Sequence, residues 1–286
     1  MPELPEVETI KNDLKKRIPN IRISDINILL ARTVKNNVRD FKKILADNKF
    51  ADIDRVGKLL IFKLKRGGQF LLVHLKMTGQ LIYRRRGFMV AGGHSDKSAI
   101  LELPNKHTRV WLSFADGGRL FFNDLRTFGY MKLVDAAELK KVFGKFGLEP
   151  LDDKFNFAHL KNLFKARKTN IKALLLDQRL IAGLGNIYVD EALFRAGVLP
   201  WRRVNTLTDA EIRKIALSAR AVLLSGIKYR GTTFNNYVDA DGHKGNFVKQ
   251  LKVYGRVGKK CVRCGGVIRK KKVAGRGTSY CEECQK

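Results

Sequence analysis

Near the start of the chain, apolar residues recur at helical spacing. Val7, Ile10, Leu14 and Ile18 form one stripe, with Lys11, Lys15 and Lys16 away from it. This pattern predicts an amphipathic helix over about 5–18 packed against a core. Pro5 suits a first helical turn, and Glu6 and Glu8 suit the positive end of the helix. From about 21 to 135 the period shortens. The runs 58–65, 70–75, 99–103, 109–114 and 119–122 are β-rich, and Gly67-Gly68 and Asp116-Gly117-Gly118 punctuate them as hairpins. Antiparallel sheets packed as a sandwich follow from that pattern. The stretch 84–97 is basic, contains glycine and has no period, and it reads as an exposed loop.

After about residue 136 helical periodicity returns. Phe157, Leu160, Leu163 and Phe164 make one stripe. Thr208, with Glu211 three residues on, makes a capping box ahead of Ile212, Ile215, Ala219 and Leu223. Between them, 171–176 and 187–196 flank Gly183-Leu184-Gly185-Asn186. That order predicts a helix, a glycine-rich turn and a second helix capped by Asn186, with backbone N–H groups free for a phosphate. The tail from Lys259 holds all four cysteines, as Cys261-Val-Arg-Cys264 and Cys281-Glu-Glu-Cys284. Two C-x2-C thiolate pairs at this separation suit one tetrahedral zinc ion, and two-residue loops are too short for comfortable disulfides. The runs 267–272 and 278–280 read as the strands of a hairpin lined by Arg269, Lys270, Lys271, Lys272 and Arg276.

Charge narrows the partner. The 286 residues include 57 Lys and Arg against 27 Asp and Glu, a formal net charge of +30. A field of that sign favours a polyanion, with affinity that falls steeply as salt rises. RNA, DNA and anionic membrane all satisfy charge alone. No apolar run approaches the ~20 residues of a membrane span, and the first residues carry acids instead of a basic signal sequence. The expected compartment is the cytoplasm, in association with the nucleoid.

The start Met1-Pro2-Glu3-Leu4-Pro5-Glu6 adds chemistry. Pro2 is small enough that Met1 is expected to be trimmed, leaving a secondary amine. An α-amino group titrates near ~8, against ~10.4 for lysine, so part of it is unprotonated at neutral pH and can attack an aldehyde carbon.

Three motifs occur together in one order: Pro2-Glu3-Leu4-Pro5-Glu6-Val7-Glu8, Gly183-Leu184-Gly185-Asn186-Ile187-Tyr188, and Gly275-Arg276-Gly277-Thr278 inside the cysteine quartet. Over essentially its whole length the chain resembles the formamidopyrimidine-DNA glycosylases, bacterial enzymes that repair oxidised purines. The resemblance implies an α+β multidomain protein. Its parts would be an N-terminal catalytic β-sandwich with an N-terminal helix over 1–135, a linker over 136–152, a helix-two-turn-helix domain over 153–255 and a zinc finger over 256–286. DNA would lie between the two halves, and the protein would act as a monomer. In catalysis, the resemblance implies Pro2 as Schiff-base nucleophile, Glu3 as general acid and proton shuttle, Lys58 as an assisting cation and Arg276 as the finger arginine on the phosphates beside the lesion. For DNA contacts it implies His74, His107, Arg126, Lys168 and Asn186. Met77, Arg126 and Phe128 would fill the hole left by a flipped base. Leu125-Arg126-Thr127 stands where the family often has a proline and a second arginine, and the 84–97 stretch is longer than usual. The segment from Thr232-Thr233-Phe234 to Tyr254-Gly255-Arg256 resembles the part that includes the loop over a flipped 8-oxoguanine. Two alternatives stay open. One is the sister endonuclease VIII type, for oxidised pyrimidines, where Leu4 and Val7 look more like the purine-type start. The other is a non-catalytic zinc-containing nucleic-acid binder.

Overall fold

The first apolar stripe folds as helix α1 (Leu4–Lys15), with Val7, Ile10 and Leu14 fully buried. The helix ends earlier than its stripe, because Pro19 disfavours helical backbone at Ile18, which is nevertheless buried. The structure is a computed structural model that describes residues 1–86, 88–93, 102–165, 167–232 and 246–286. It divides into two units, Met1–Gly144 with Tyr229–Asn246 and Lys145–Lys228 with Phe247–Lys286.

Among the described residues of the first unit, nine strands form two antiparallel sheets. The five-stranded sheet has the order β1-β7-β8-β5-β6 and the four-stranded sheet the order β2-β3-β4-β9. The strands are β1 (Ile23–Ile28), β2 (Phe50–Val56), β3 (Leu59–Leu64), β4 (Phe70–His74), β5 (Gly79–Arg85), β6 (Phe88–Gly93), β7 (Thr108–Phe114), β8 (Arg119–Asp124) and β9 (Tyr130–Val134). Strand β7 shows why they pack: Thr108, Val110, Leu112 and Phe114 alternate inward. Val110, Leu112 and Phe114 share one core with Leu60 and Phe62 of β3, Val73 of β4, Met131 of β9 and the α1 stripe. Each fully buried side chain of this size contributes about 1.5–3 kcal/mol.

Three expectations need correction. The 84–97 stretch is not wholly loop, since β6 pairs with β5 from Gln80↔Gly93 to Arg85↔Phe88. A strand edge supplies backbone partners whether or not the added segment has an apolar period. Of the run 99–103, residues 99–101 lie outside the described residues, and Glu102 and Leu103 are bends. Helix α2 (Val38–Leu45), capped by Asn37 and burying Phe41 and Leu45, interrupts the β-rich region, and α3 (Ala136–Phe143) occupies the start of the expected connecting segment.

The second unit holds α4 (Phe157–Lys165), α5 (Ile171–Leu176), α6 (Asn186–Ala196), α7 (Asp209–Lys228) and the hairpin β10 (Arg269–Val273) with β11 (Arg276–Tyr280). Thr208 and Glu211 make the expected reciprocal cap, Thr208 N–H to the Glu211 carboxylate at 2.8 Å and Glu211 N–H to the Thr208 hydroxyl at 3.3 Å. A buried ion pair ties the hairpin to the helices. Lys172 of α5 and Asp190 of α6, both fully buried, lie 2.5 Å apart. The Lys172 ammonium also donates to the Thr278 hydroxyl at 2.8 Å, and the second Asp190 oxygen accepts Ser279 N–H at 2.8 Å. Desolvation pushes the Asp190 carboxyl up to about 7, and Lys172 opposes that push.

Removing only the cation strands a buried carboxylate. Lys172→Met should cost about 3 kcal/mol, read by urea denaturation through Trp201 in a Trp111→Phe background. Adding Asp190→Leu should restore most of the loss. An unchanged midpoint in Lys172→Met would show that the pair does not brace the hairpin.

Candidate functional site

The proposed catalytic residues fall into two sets, one in each unit. In the first unit, Pro2 and Glu3 are buried at the start of α1, with Glu3 as its N-cap. Glu6 reaches back to accept the Glu3 N–H at 2.8 Å. The Glu6 carboxylate also accepts Thr232 N–H at 2.6 Å and the Thr232 hydroxyl at 3.0 Å. Residue 231 must be glycine for this contact: its φ is +85°, and a Cβ would sit 2.7 Å from a Glu6 oxygen. One turn down α1 and beyond, Asp13 pairs with Arg230 at 2.6 Å.

Lys58 enters from the two-residue turn between β2 and β3, where Gly57 has positive φ. It is 6% exposed. Glu8 of α1 holds that turn in place by binding Arg55 at 2.6 Å, and Arg55 donates to the Gly57 carbonyl at 3.4 Å. Burial works against the Glu8 charge, yet hydrogen bonds from Lys11 and Arg55 keep its carboxyl below the usual range. Burial also lowers the pKa of the amino terminus at Met1 below 8; Glu3 and Glu6 oppose this, and Lys58 adds to it. With Met1 attached, the Pro2 nitrogen belongs to a peptide bond and cannot attack carbon.

The same end of the four-stranded sheet gathers more candidates. His74 closes β4 opposite Leu59 and Tyr130. Its Nδ1 accepts Lys76 N–H at 3.0 Å, so a proton on the neutral ring sits at Nε2. Burial, aided by Lys76 and Lys58, pushes its pKa down to about 3. His74 is therefore a neutral N–H donor at pH 7. Met77 is half-buried on the β4–β5 turn, and Arg126 and Phe128 are exposed on the β8–β9 turn, the guanidinium 4.8 Å from the ring centre. His107, also shifted down by burial and by Lys106 and Arg109, accepts Asp124 N–H through its carbonyl at 2.9 Å.

In the second unit, Lys168 is exposed just before α5, and Arg276 is exposed at the start of β11. The turn preceding Arg276 is Ala274-Gly275, both with positive φ, as a type I′ hairpin requires. Asn186 differs from expectation. Gly185 is the N-cap of α6 and Asn186 the first helical residue, its amide donating to the Gly277 carbonyl at 3.0 Å. A second use thus competes for the side chain that would have capped the helix, and it links the glycine-rich turn to the hairpin.

The four cysteine sulfurs lie within 4.8 Å of one another, with Cys264–Cys281 at 3.6 Å and Cys261–Cys284 at 3.8 Å. Zinc–sulfur bonds of about 2.3 Å in a tetrahedron need sulfurs about 3.8 Å apart, so the quartet fits one structural zinc ion. The buried Gln285 supports it, accepting Cys281 N–H at 2.9 Å and donating to the Val198 carbonyl at 2.8 Å.

Residues 1–131 match the formamidopyrimidine-DNA glycosylase N-terminal domain, 146–237 its H2TH domain and 258–286 the zinc finger found in FPG and IleRS. The chain belongs to the formamidopyrimidine-DNA glycosylase family. A formamidopyrimidine-DNA glycosylase of Pelotomaculum thermopropionicum is 42% identical over all of this chain and 99% of its own length, and one of Desulfitobacterium hafniense is 41% identical over the whole of both. A mutant of Lactococcus lactis FPG in complex with Fapy-dG-containing DNA, and Lactococcus lactis Fpg in complex with DNA containing an abasic site, each match over the whole of both chains at 34% identity with a TM-score of 0.89.

Sequence reasoning missed two groups around the family's site. Gly231 carries no motif of its own, and for Thr232, named above only as the start of a loop-like segment, the contact with Glu6 shows in the fold alone. Asp124 is 1% exposed and accepts hydrogen bonds from three partners. Its position just before a turn was the available signal, since an aspartate there can bond backbone two residues on. The 233–245 segment, on which the resemblance to the 8-oxoguanine loop partly rests, lies outside the described residues.

His74 makes the first unit acid-sensitive. Its folded pKa lies below the unfolded value of 6.5, so the unfolded chain binds the extra proton, and stability is lost as pH falls from 6.5 towards about 3. Between pH 7 and pH 5 this loss should be about 2 kcal/mol. It should largely disappear in His74→Gln, compared by urea midpoints through Trp111. Equal losses in both proteins would remove His74 as the source.

Proposed function

We propose that this chain is a bifunctional DNA glycosylase and AP lyase of base-excision repair. It excises oxidised purines, 8-oxoguanine and formamidopyrimidines, from duplex DNA and then cuts the strand. Family membership supports the reaction class, and the Lactococcus complexes with Fapy-dG and abasic DNA support the substrate. The observation that carries the catalytic assignment is the burial of Pro2 and Glu3 at the head of α1, where Lys58 acts on the terminal amine. The net charge of +30 supports work on the nucleoid, as a monomer on duplex DNA.

The target nucleotide leaves the stack before reaction. Once Met1 is removed, the Pro2 amine occupies surroundings that favour its unprotonated form. Its lone pair attacks C1′, the bond from C1′ to the base breaks, and the base departs with the bonding pair and a proton. Glu3 protonates the sugar ring oxygen as the ring opens, leaving an iminium between C1′ and Pro2. The iminium acidifies C2′–H. Loss of that proton expels the 3′ phosphate, and loss of the C4′ proton then expels the 5′ phosphate. Water finally hydrolyses the imine and regenerates the amine. Arg276 holds a flanking phosphate through a guanidinium that stays charged, and Lys168, His107 and His74 contribute further phosphate contacts. Zinc supplies folding free energy to the hairpin that carries Arg276.

Borohydride should trap the purified protein covalently on 8-oxoguanine duplex, with an intact mass lacking Met1. Protein retaining Met1 should not trap. Faster release of thymine glycol than of 8-oxoguanine would instead assign the endonuclease VIII preference, and binding without trapping by Met1-free protein would assign a non-catalytic binder.

Lys58 lowers the pKa of the Met1 amine; acting in the same sense on the Pro2 amine of the processed protein, it would bring out the unprotonated form at lower pH, so that form should appear at higher pH without it. In Lys58→Met the acidic limb of the single-turnover pH profile should move to higher pH, and an unmoved limb would exclude this electrostatic role.

A further inference from the structure

Met77, Arg126 and Phe128 sit on two separate turns. The β4–β5 turn carries the chain from the four-stranded to the five-stranded sheet, and the β8–β9 turn carries it back. Thr78 and Asp124 join them. One Asp124 oxygen accepts the Thr78 hydroxyl at 2.5 Å and Arg126 N–H at 3.2 Å, and the other accepts Gly129 N–H at 2.7 Å. The Thr78 oxygen itself accepts Arg126 N–H at 3.0 Å. The Asp124 backbone is held as well, its N–H by the His107 carbonyl and its carbonyl by Arg109 Nε, both at 2.9 Å.

Little room remains around this hub. A Cβ at Gly129 would stand 2.7 Å from the Phe122 ring and 3.1 Å from an Asp124 oxygen. Thr127 holds a left-handed backbone with φ of 57°, and Arg32 donates to its hydroxyl at 2.8 Å. Yet the side chains borne by this fixed backbone are open: Leu125 is 61% and Phe128 54% exposed. Apolar groups held out on a braced turn are prepared to bury themselves elsewhere, because their ordering cost has been met before binding.

We propose that Asp124 and Thr78 are positioning residues that lock the Met77 turn to the Arg126–Phe128 turn, so that these side chains enter the duplex as one preassembled wedge. The inference rests on the wedge reading of that trio. A hydroxyl at residue 78 serves both turns at once, as donor to Asp124 and as acceptor from Arg126. Its loss should leave each wedge side chain present but uncoupled from the other.

The test is a double-mutant cycle between Met77→Ala and Phe128→Ala, measured by single-turnover excision of 8-oxoguanine from duplex and by fluorescence of 2-aminopurine opposite an abasic analogue. In the parent protein each substitution should lower the rate about tenfold, and the pair little further. In a Thr78→Val background the two effects should become additive, and Thr78→Ser should restore the coupling. Thr78→Val should leave borohydride trapping on single-stranded abasic DNA unchanged, since no hole needs filling there. If Met77→Ala and Phe128→Ala leave duplex excision intact, the wedge reading falls and this inference with it. If they slow excision but their coupling is the same with Val or Thr at residue 78, the positioning inference alone falls.

Discussion

A chain with 57 cations and 27 carboxylates has few acids with which to hold itself together. Its own charge opposes compaction. Several of those acids are inside. Glu3, Asp13, Asp124, Asp190 and Glu191 are each at most 5% exposed, and most of them organise backbone. Glu191 accepts the N–H groups of Lys252, Val253 and Tyr254, Asp124 those of Arg126 and Gly129, and Asp190 that of Ser279. A buried carboxylate is costly unless it is satisfied on this scale. Used this way, Asp124, Asp190 and Glu191 each fix a turn or a hairpin.

The sandwich turns that arrangement into a site. Sheet register brings Leu59, His74 and Tyr130 to one end of three adjacent strands, and the turns beyond them bear Lys58, Met77 and Phe128. Helix α1 starts with its N-cap acid in the same unit, clamped through Glu8 to Arg55 and through Glu6 to Thr232. The strands are covalently remote, but pairing makes them neighbours. In the second unit the equivalent task falls to the Lys172–Asp190 pair and to Asn186, which set the Arg276 hairpin against the helices.

What could be read in the sequence had a local cause. The α1 stripe, the Thr208–Glu211 cap, the glycine hairpins and the C-x2-C pairs each follow from residues within a few positions of one another. The features that escaped depend on contacts that sequence distance hides. Strand β6 exists because β5 offers it a partner, and α2 depends on Asn37 and on a pocket for Phe41 and Leu45. Asn186 looked like a cap because its type and place fit one. Gly277, 91 residues away, decides otherwise. The Pro2, Glu3 and Lys58 assignment came from motif likeness, and burial adds a reason that the motif lacks: desolvation lowers the pKa of an amine.

Burial first and neighbouring cations second hold His74 and His107 towards the uncharged form, while at the amino terminus burial acts first, the acids Glu3 and Glu6 oppose it and Lys58 adds to it. A neutral imidazole binds phosphate with a directed N–H instead of a charge, so it selects position more than it adds to non-specific affinity. For the amine the consequence in the proposed reaction would be reactivity, because only an unprotonated nitrogen can attack carbon. Glu3 and Glu6 push the other way, and this opposition is useful. In the proposed reaction, an amine stripped of all acidic neighbours would lack the proton donor assigned to ring opening. Burial and Lys58 would free the lone pair of the amine in that reaction, and Glu3, the next residue along the chain, would stand beside it as the acid.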